Sequence, residues 1–165
     1  MASFDVTHEF AAAPGAVAGA MTDAAFVASL RLPDLEPPDV LGRTSDANGT
    51  VIRYRYQFVG RLDPIARRIL GNDRISWVQE VRVDPSGTRG DLAVTADAHP
   101  ERLRFSGDYT LTAHGAGTTR RLRGTFAIKV PLVGRKAEQH ILPGLLQRID
   151  LEAEATRDWL AASSS

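Results

Sequence analysis

From residue 50 to residue 129 apolar and polar side chains alternate with a period of two, the mark of half-buried strands. Ile52, Tyr54, Tyr56 and Phe58 fall on one face of 50–59, and Val51, Arg53, Arg55 and Gln57 on the other. In 74–83 the dry face carries Ile75, Trp77, Gln79, Val81 and Val83, and in 90–98 it carries Leu92, Val94 and Ala96. Leu103, Phe105, Gly107, Tyr109 and Leu111 continue it in 102–112, and Leu122, Gly124, Phe126 and Ile128 in 119–129. Phe4, Val6, His8 and Phe10 give an earlier strand of the same kind. The short connections "DPSG", "HPE" and "HGAG" predict an antiparallel meander with one wet face.

Helical spacing is confined to a few places. Pro14 suits a first helical turn, and 14–22 and 23–30 read as two short helices. "LPDLEPPD" at 32–39 is a proline-punctuated connection, and "DPIARRILG" at 63–71 predicts a short helix between strands. The long segment 134–162 aligns Glu138, Leu142, Leu145, Leu146, Ile149, Ala153, Thr156 and Leu160 on one stripe, which is the natural cover for the dry sheet face. Pro143 and Gly144 interrupt it. Proline removes a helical hydrogen bond and crowds the carbonyl of Gln139, so a kink or a fresh helix start is expected there. One domain over 1–162 follows, with a disordered tail at 163–165.

Composition narrows the function classes. A chain of 165 residues with 43% hydrophobic content fits one core. It has no cysteine, which removes disulfides, thiolate metal sites and cysteine nucleophiles. Twenty basic and twenty acidic residues cancel, a balance that argues against a nucleic-acid partner. The wet-face arginines Arg53, Arg55, Arg102, Arg104, Arg121 and Arg123 are expected to pair with Glu80, Asp91, Asp97 and Asp108 as a charge lattice. Neither a signal peptide nor a spanning segment is visible, so a cytoplasmic protein without stable membrane insertion is expected.

Order and motifs together carry a resemblance. Strand, two short helices, a six-stranded meander and a long C-terminal helix resemble the START-like (SRPBCC) helix-grip superfamily, which includes Bet v 1-type allergens and polyketide cyclases. "HEFAAAPGAVAGAMTD" is similar to its first strand and helix, with Ala18 where many members carry a large residue. That departure would widen or loosen the pocket entrance. "VPLVGRKAE" and "GNDRISWVQE" resemble an uncharacterised bacterial family within it. The resemblance implies an α+β fold, with a curved antiparallel sheet of about seven strands and the C-terminal helix over an internal cavity.

Three functions are compatible with that architecture, and fold analogy does not choose among them. The favoured one is binding or carriage of a small, largely hydrophobic ligand: a lipid, polyketide or aromatic. The alternative is a cyclase- or aromatase-like enzyme in the same cavity, and the third is a ligandless interaction module. Tyr54, Tyr56, Trp77, Phe105 and Tyr109 are expected to line the site, with Phe126, Leu145 and Ile149 completing its apolar wall. His8 and Gln79 would be polar anchors. Gln79 needs a partner on its dry face, either a tyrosine such as Tyr54 or Tyr109 or a ligand.

His8 and Glu138 are the two acid–base candidates, each with a plainer reading. His8 would otherwise be a core histidine bonded to the backbone, and Glu138 a first-turn acid held by the helix dipole or Arg135. His99, His114 and His140 have no zinc-helix spacing, and no phosphate loop or nucleophile elbow is present. No metal and no cofactor is expected.

Overall fold

The computed structural model describes residues 1–71 and 74–164. In chain order these form β1 (Ala2–Phe10), α1 (Pro14–Met21), α2 (Ala24–Ser29), β2 (Asp39–Asp46) and β3 (Gly49–Gln57). Then come α3 (Pro64–Leu70), β4 (Ser76–Val83), β5 (Arg89–Ala96), β6 (Leu103–His114), β7 (Gly117–Ile128) and α4 (Gly134–Ser163). The expected α+β helix-grip layout is the observed one. Seven antiparallel strands lie in the order β1-β7-β6-β5-β4-β3-β2, so the first strand closes onto the last while β2 forms the far edge.

Local chemistry fixes the ends of the short helices. Asp23 caps α2 by accepting from the Phe26 N–H at 2.9 Å, and Asp63 caps α3 by accepting from Ala66 at 2.9 Å. Pro14 and Pro64 occupy first-turn positions where the missing N–H costs nothing. Gly71 ends α3 at a φ of 80°. Strand β2 is the element that alternation does not reveal. Seven of its eight residues are exposed, so it has no dry face to write into the sequence.

The strand faces follow the pattern otherwise. Ile52, Tyr54, Tyr56, Val81, Phe105, Leu122 and Phe126 are all buried on the concave side. Phe4 lies over the Gly107–Gly124 pair of β6 and β7 and stacks on Phe105 at 4.7 Å. A β-carbon at Gly124 would sit 2.6 Å from the Phe4 ring, so that close approach requires glycine. On the convex side Arg55 meets Asp97 at 2.9 Å, Arg121 meets Asp5 at 2.6 Å and Arg53 meets Glu80 at 3.3 Å. Arg82, between Glu80 and Asp91, and Asp5, between Arg121 and Arg123, tie these pairs into a partial lattice. Arg102 turns instead to Glu101, and Arg104 and Asp108 have no ion pair among the described residues.

Helix α4 runs unbroken from Gly134 to Ser163 with Pro143 inside it. A helix start at Pro143 is therefore corrected. Both Pro143 and Gln139 are exposed, which puts the interrupted turn on the solvent side of the helix. The helix also reaches Ser163, whose hydroxyl bonds the Trp159 carbonyl, and Ser164 donates its N–H to Leu160. The helix thus extends into the stretch expected as a tail at 163–165, and Ser165 lies outside the described residues, as do Asn72 and Asp73 of "GNDRISWVQE".

Candidate functional site

Among the described residues, the space between the concave sheet and α4 holds three cavities, each sharing walls with the next. The innermost, about 30 Å³, lies among Tyr54, Gln79, Tyr109, Arg120, Ile149 and Glu152, closed at its end by Met21 and Phe26. A second of about 20 Å³ touches Tyr56, Trp77, Phe105, Leu145 and Arg148, and shares Gln79, Ile149 and Glu152 with the first. The third is about 220 Å³ and shares Trp77, Val94, Leu145 and Arg148 with the second. It opens between α3, the start of β4 and the first half of α4, where Phe58, Ala66, Ile75, Ala96, Leu103 and Gly144 complete its apolar lining. A cavity holds a water from roughly 10–15 Å³ upward, so the inner two have room for little more than water and the outer one for a small ligand.

Gly144 has its place here. A β-carbon on it would meet only the Arg148 guanidinium, at 3.6 Å, so the helix presents empty space rather than a side chain to the cavity.

Around the inner cavities sits a polar cluster built by three strands and the helix. Tyr56 donates to Glu152 Oε1 at 2.5 Å, and the Gln79 amide donates to Tyr54 Oη at 2.7 Å and to Glu152 Oε2 at 3.0 Å. Burial raises the carboxyl of Glu152 above its ordinary value, although Tyr56, Gln79 and the nearby Arg120 charge all pull it back. Burial and the same carboxylate also push both Tyr54 and Tyr56 well above the usual phenol range.

Arg120 is 7% exposed and projects from β7 on the same side as Leu122. Burial lowers its pKa, opposed by the Glu152 charge, and it has one terminal nitrogen 3.1 Å from His8 Nδ1 and its guanidinium 5.3 Å from the Phe10 ring centre. Its Nε is buried without a partner.

His8 is placed by these neighbours. An arginine only donates, so Nδ1 must be the bare nitrogen and Nε2–H the donor to Asp150 Oδ1 at 2.7 Å. Burial keeps this imidazole's pKa below its ordinary value, with Asp150 opposing and Arg120 assisting. His8 therefore bonds side chains rather than the backbone carbonyl of its plainer reading, and, expected as a polar anchor of the site, it lies outside the walls of the three cavities.

The other expected site residues divide cleanly. Tyr54, Tyr56, Trp77, Gln79, Phe105, Tyr109, Leu145 and Ile149 all border one cavity or more. Phe126 is fully buried behind Phe105 in the packed core. Tyr109 reaches the inner cavity, but its hydroxyl is spent on the Arg82 carbonyl at 2.5 Å. Glu138 stands apart, buried at the start of α4, where it accepts from the Ile128 N–H at 3.0 Å and the Met1 ammonium at 2.8 Å. Burial works against its charge, yet these donors and Arg135 outweigh it and hold the carboxyl below the usual range. Ala18 is buried in the core and borders none of these cavities, so it does not widen an entrance as expected.

Arg120 and Glu152 were not anticipated, though both carry a signal. Arg120 is in phase with Leu122 on β7, and Glu152 follows Leu145 by seven residues and Ile149 by three, on the same helical face. Among the described residues no group of three or more histidine or acidic side chains is arranged to hold a metal.

The family described as "Protein of unknown function (DUF2505)" matches residues 5–160. The chain belongs to the DUF2505 family. This DUF2505 protein has a START-like fold, as the solved structures it superposes on make plain. The protein TTHA0849 from Thermus thermophilus is 18% identical with a TM-score of 0.68, covering 99% of this chain and 100% of that one. A START superfamily protein from Mycobacterium smegmatis is 13% identical, with a TM-score of 0.60 and 97% of each chain covered. Norcoclaurine synthase from Thalictrum flavum, solved as a point mutant with a transition-state analogue, is 13% identical with a TM-score of 0.65. Coverage there is 99% of this chain and 98% of that one. At such identities the likeness concerns the fold. No curated protein matches the DUF2505 chain by sequence.

Proposed function

We propose that this protein binds and carries a small, largely hydrophobic molecule, of lipid, polyketide or aromatic type, between the sheet and α4. The observation that carries this reading is the apolar cavity of about 220 Å³ under Gly144, bordered by Trp77, Ala96, Leu103 and Leu145. Ligand sites are typically about 300–1,000 Å³, mostly apolar with a few orienting polar groups, so this cavity suits a ligand at the small end. Gln79, Tyr56 and Glu152 supply polar groups beyond it, in the wall of the adjoining cavity of about 20 Å³. A protein of similar fold, the norcoclaurine synthase mutant, was solved in complex with a transition-state analogue, which is consistent with a ligand-binding reading.

A second reading, catalysis between the sheet and α4, rests on Glu152 in the wall of the two inner cavities. A buried carboxyl whose pKa is raised, bonded to a tyrosine, is the kind of group that exchanges protons with a bound molecule. Native mass spectrometry of freshly purified protein, with organic extraction, tests the first reading. A co-purifying lipid or aromatic supports carriage, whereas turnover of an added polyketide-type substrate that fails in Glu152→Gln supports catalysis. A cytoplasmic location belongs to the same proposal, to be checked by fractionating cells that express the tagged chain.

A further inference from the structure

The arginines at the cavity mouth behave differently from those on the convex sheet face. There, Arg53, Arg55, Arg82 and Arg121 each meet a carboxylate within 4 Å. At the mouth, Arg61 borders both the 220 Å³ cavity and an adjoining open hollow that also takes in Arg67 and Arg74, with no acidic side chain among the described residues of the hollow's walls. Neither Arg61 nor Arg67 has an ion pair among the described residues, and both are exposed.

Arg148 stands further in, between the second and third cavities. One terminal nitrogen bonds the Gly144 carbonyl at 3.1 Å, its guanidinium lies 5.6 Å from the Phe58 ring centre, and its Nε is buried with no partner among the described residues. Burial lowers its pKa, with only the charge of Asp34 opposing. A buried donor left unmet costs free energy, and a bound anion would satisfy it.

Of the acids nearby, Asp34, whose charge reaches Arg148, is exposed and has no ion pair among the described residues, and the other two are engaged. Asp63, in the cavity wall, caps α3 and takes His140 Nε2 at 2.7 Å, and Glu152 at the inner end accepts from Tyr56 and Gln79. At the mouth Arg61, Arg67, Arg74 and Arg148 outnumber Asp34 and Asp63, so it attracts an anion, whereas Glu152, in the wall of the second cavity, repels one.

We infer that the ligand is an anionic amphiphile whose apolar body fills the 220 Å³ cavity and whose carboxylate or phosphate lies at the mouth, on Arg148 and Arg61. This rests on the carriage reading and adds the ligand's charge and its orientation. In a protein with zero formal net charge, such selectivity must come from a local patch rather than a global field.

The test is a matched pair of probes, octanoate and octanol, titrated by calorimetry at low salt, with octyl phosphate and inorganic phosphate as further arms. The structure leads us to expect octanoate at least about tenfold tighter than octanol, and a gap that narrows as salt rises. Octyl phosphate preferred over octanoate would assign the head group as phosphate, and the reverse as carboxylate; either result supports an anionic head. In Arg61→Gln/Arg148→Met the preference should vanish while octanol binding persists. Arg148→Lys should retain part of it, which guards against a merely structural effect.

Equal affinity for octanoate and octanol in the wild type would overturn the inference and leave the carriage reading standing. A preference that survives in the double variant would also overturn it, because the anion would then sit elsewhere. Competition by inorganic phosphate as strong as by octyl phosphate would overturn the amphiphile. Binding of none of the organic probes would remove the carriage reading itself.

Discussion

The two ends of the interior share one sheet face and one helix, yet they are finished in opposite ways. At the α1–α2 end, tyrosine, glutamine, glutamate and arginine side chains meet until only about 30 Å³ and 20 Å³ remain. At the α3 end, apolar groups stop short of one another and leave about 220 Å³. The helix sequence accounts for much of the difference. Ile149, Glu152 and Thr156 project bulk and polarity into the closed end, whereas Gly144 contributes no side chain at the open one. Ile141, Leu145 and Arg148 line that cavity from the helix, and Gly144 leaves the space between them open.

Disturbing the closed end should have the largest effect. Arg120→Met leaves the Glu152 carboxylate without its countercharge and His8 Nδ1 without a donor, and breaking such a buried set costs about 3–5 kcal/mol. Urea unfolding measures it, and a loss below about 1 kcal/mol would mean the cluster is not cooperative. Overpacking sharpens the contrast. Val81→Phe, at the wall of the 30 Å³ cavity, should cost about 1–3 kcal/mol. Ala96→Phe, at the wall of the 220 Å³ cavity, should stay within about 0.5 kcal/mol, the range of changes that disturb no packing. Similar costs at both sites would erase the distinction between the two ends.

The smallest effect is a pH dependence. Because the Glu152 carboxyl is raised above its unfolded value, the folded protein binds the proton more tightly than the unfolded chain does. Its contribution to stability is then fully present below the unfolded carboxylate pKa and lost as pH rises through the folded one. Glu152→Gln removes that loss, so Tm of the variant relative to wild type should climb from acid to neutral pH. A difference that is flat with pH would contradict the raised carboxyl.

Much of the architecture was legible because burial leaves a period in the sequence. The concave faces of β3 to β7 carry an apolar residue at nearly every second position, and α4 carries its stripe. β2 escaped because an edge strand with both faces wet has no such period. Arg120 and Glu152 escaped for a related reason. A charged residue in phase with an apolar stripe reads as an exception, and its partner lies far along the chain on another element. Tyr54 with Gln79 was foreseeable, since β3 and β4 are neighbours and a buried amide demands a partner. The continuity of α4 was not, because the cost of Pro143 depends on whether the Gln139 carbonyl reaches water.

The central claim is that the open end is a binding cavity and not an unfinished core, and Trp77 reports on it directly. Trp159 packs on Phe26 at 5.5 Å, so Trp159→Phe keeps an aromatic contact there and leaves one fluorophore. In that background, titration with an apolar probe should quench Trp77 saturably. Adding Ala96→Phe should abolish the quenching while leaving the urea midpoint nearly unchanged. No saturable quenching, together with strong destabilisation by Ala96→Phe, would show that the interior is full and that the protein has no cavity for a ligand.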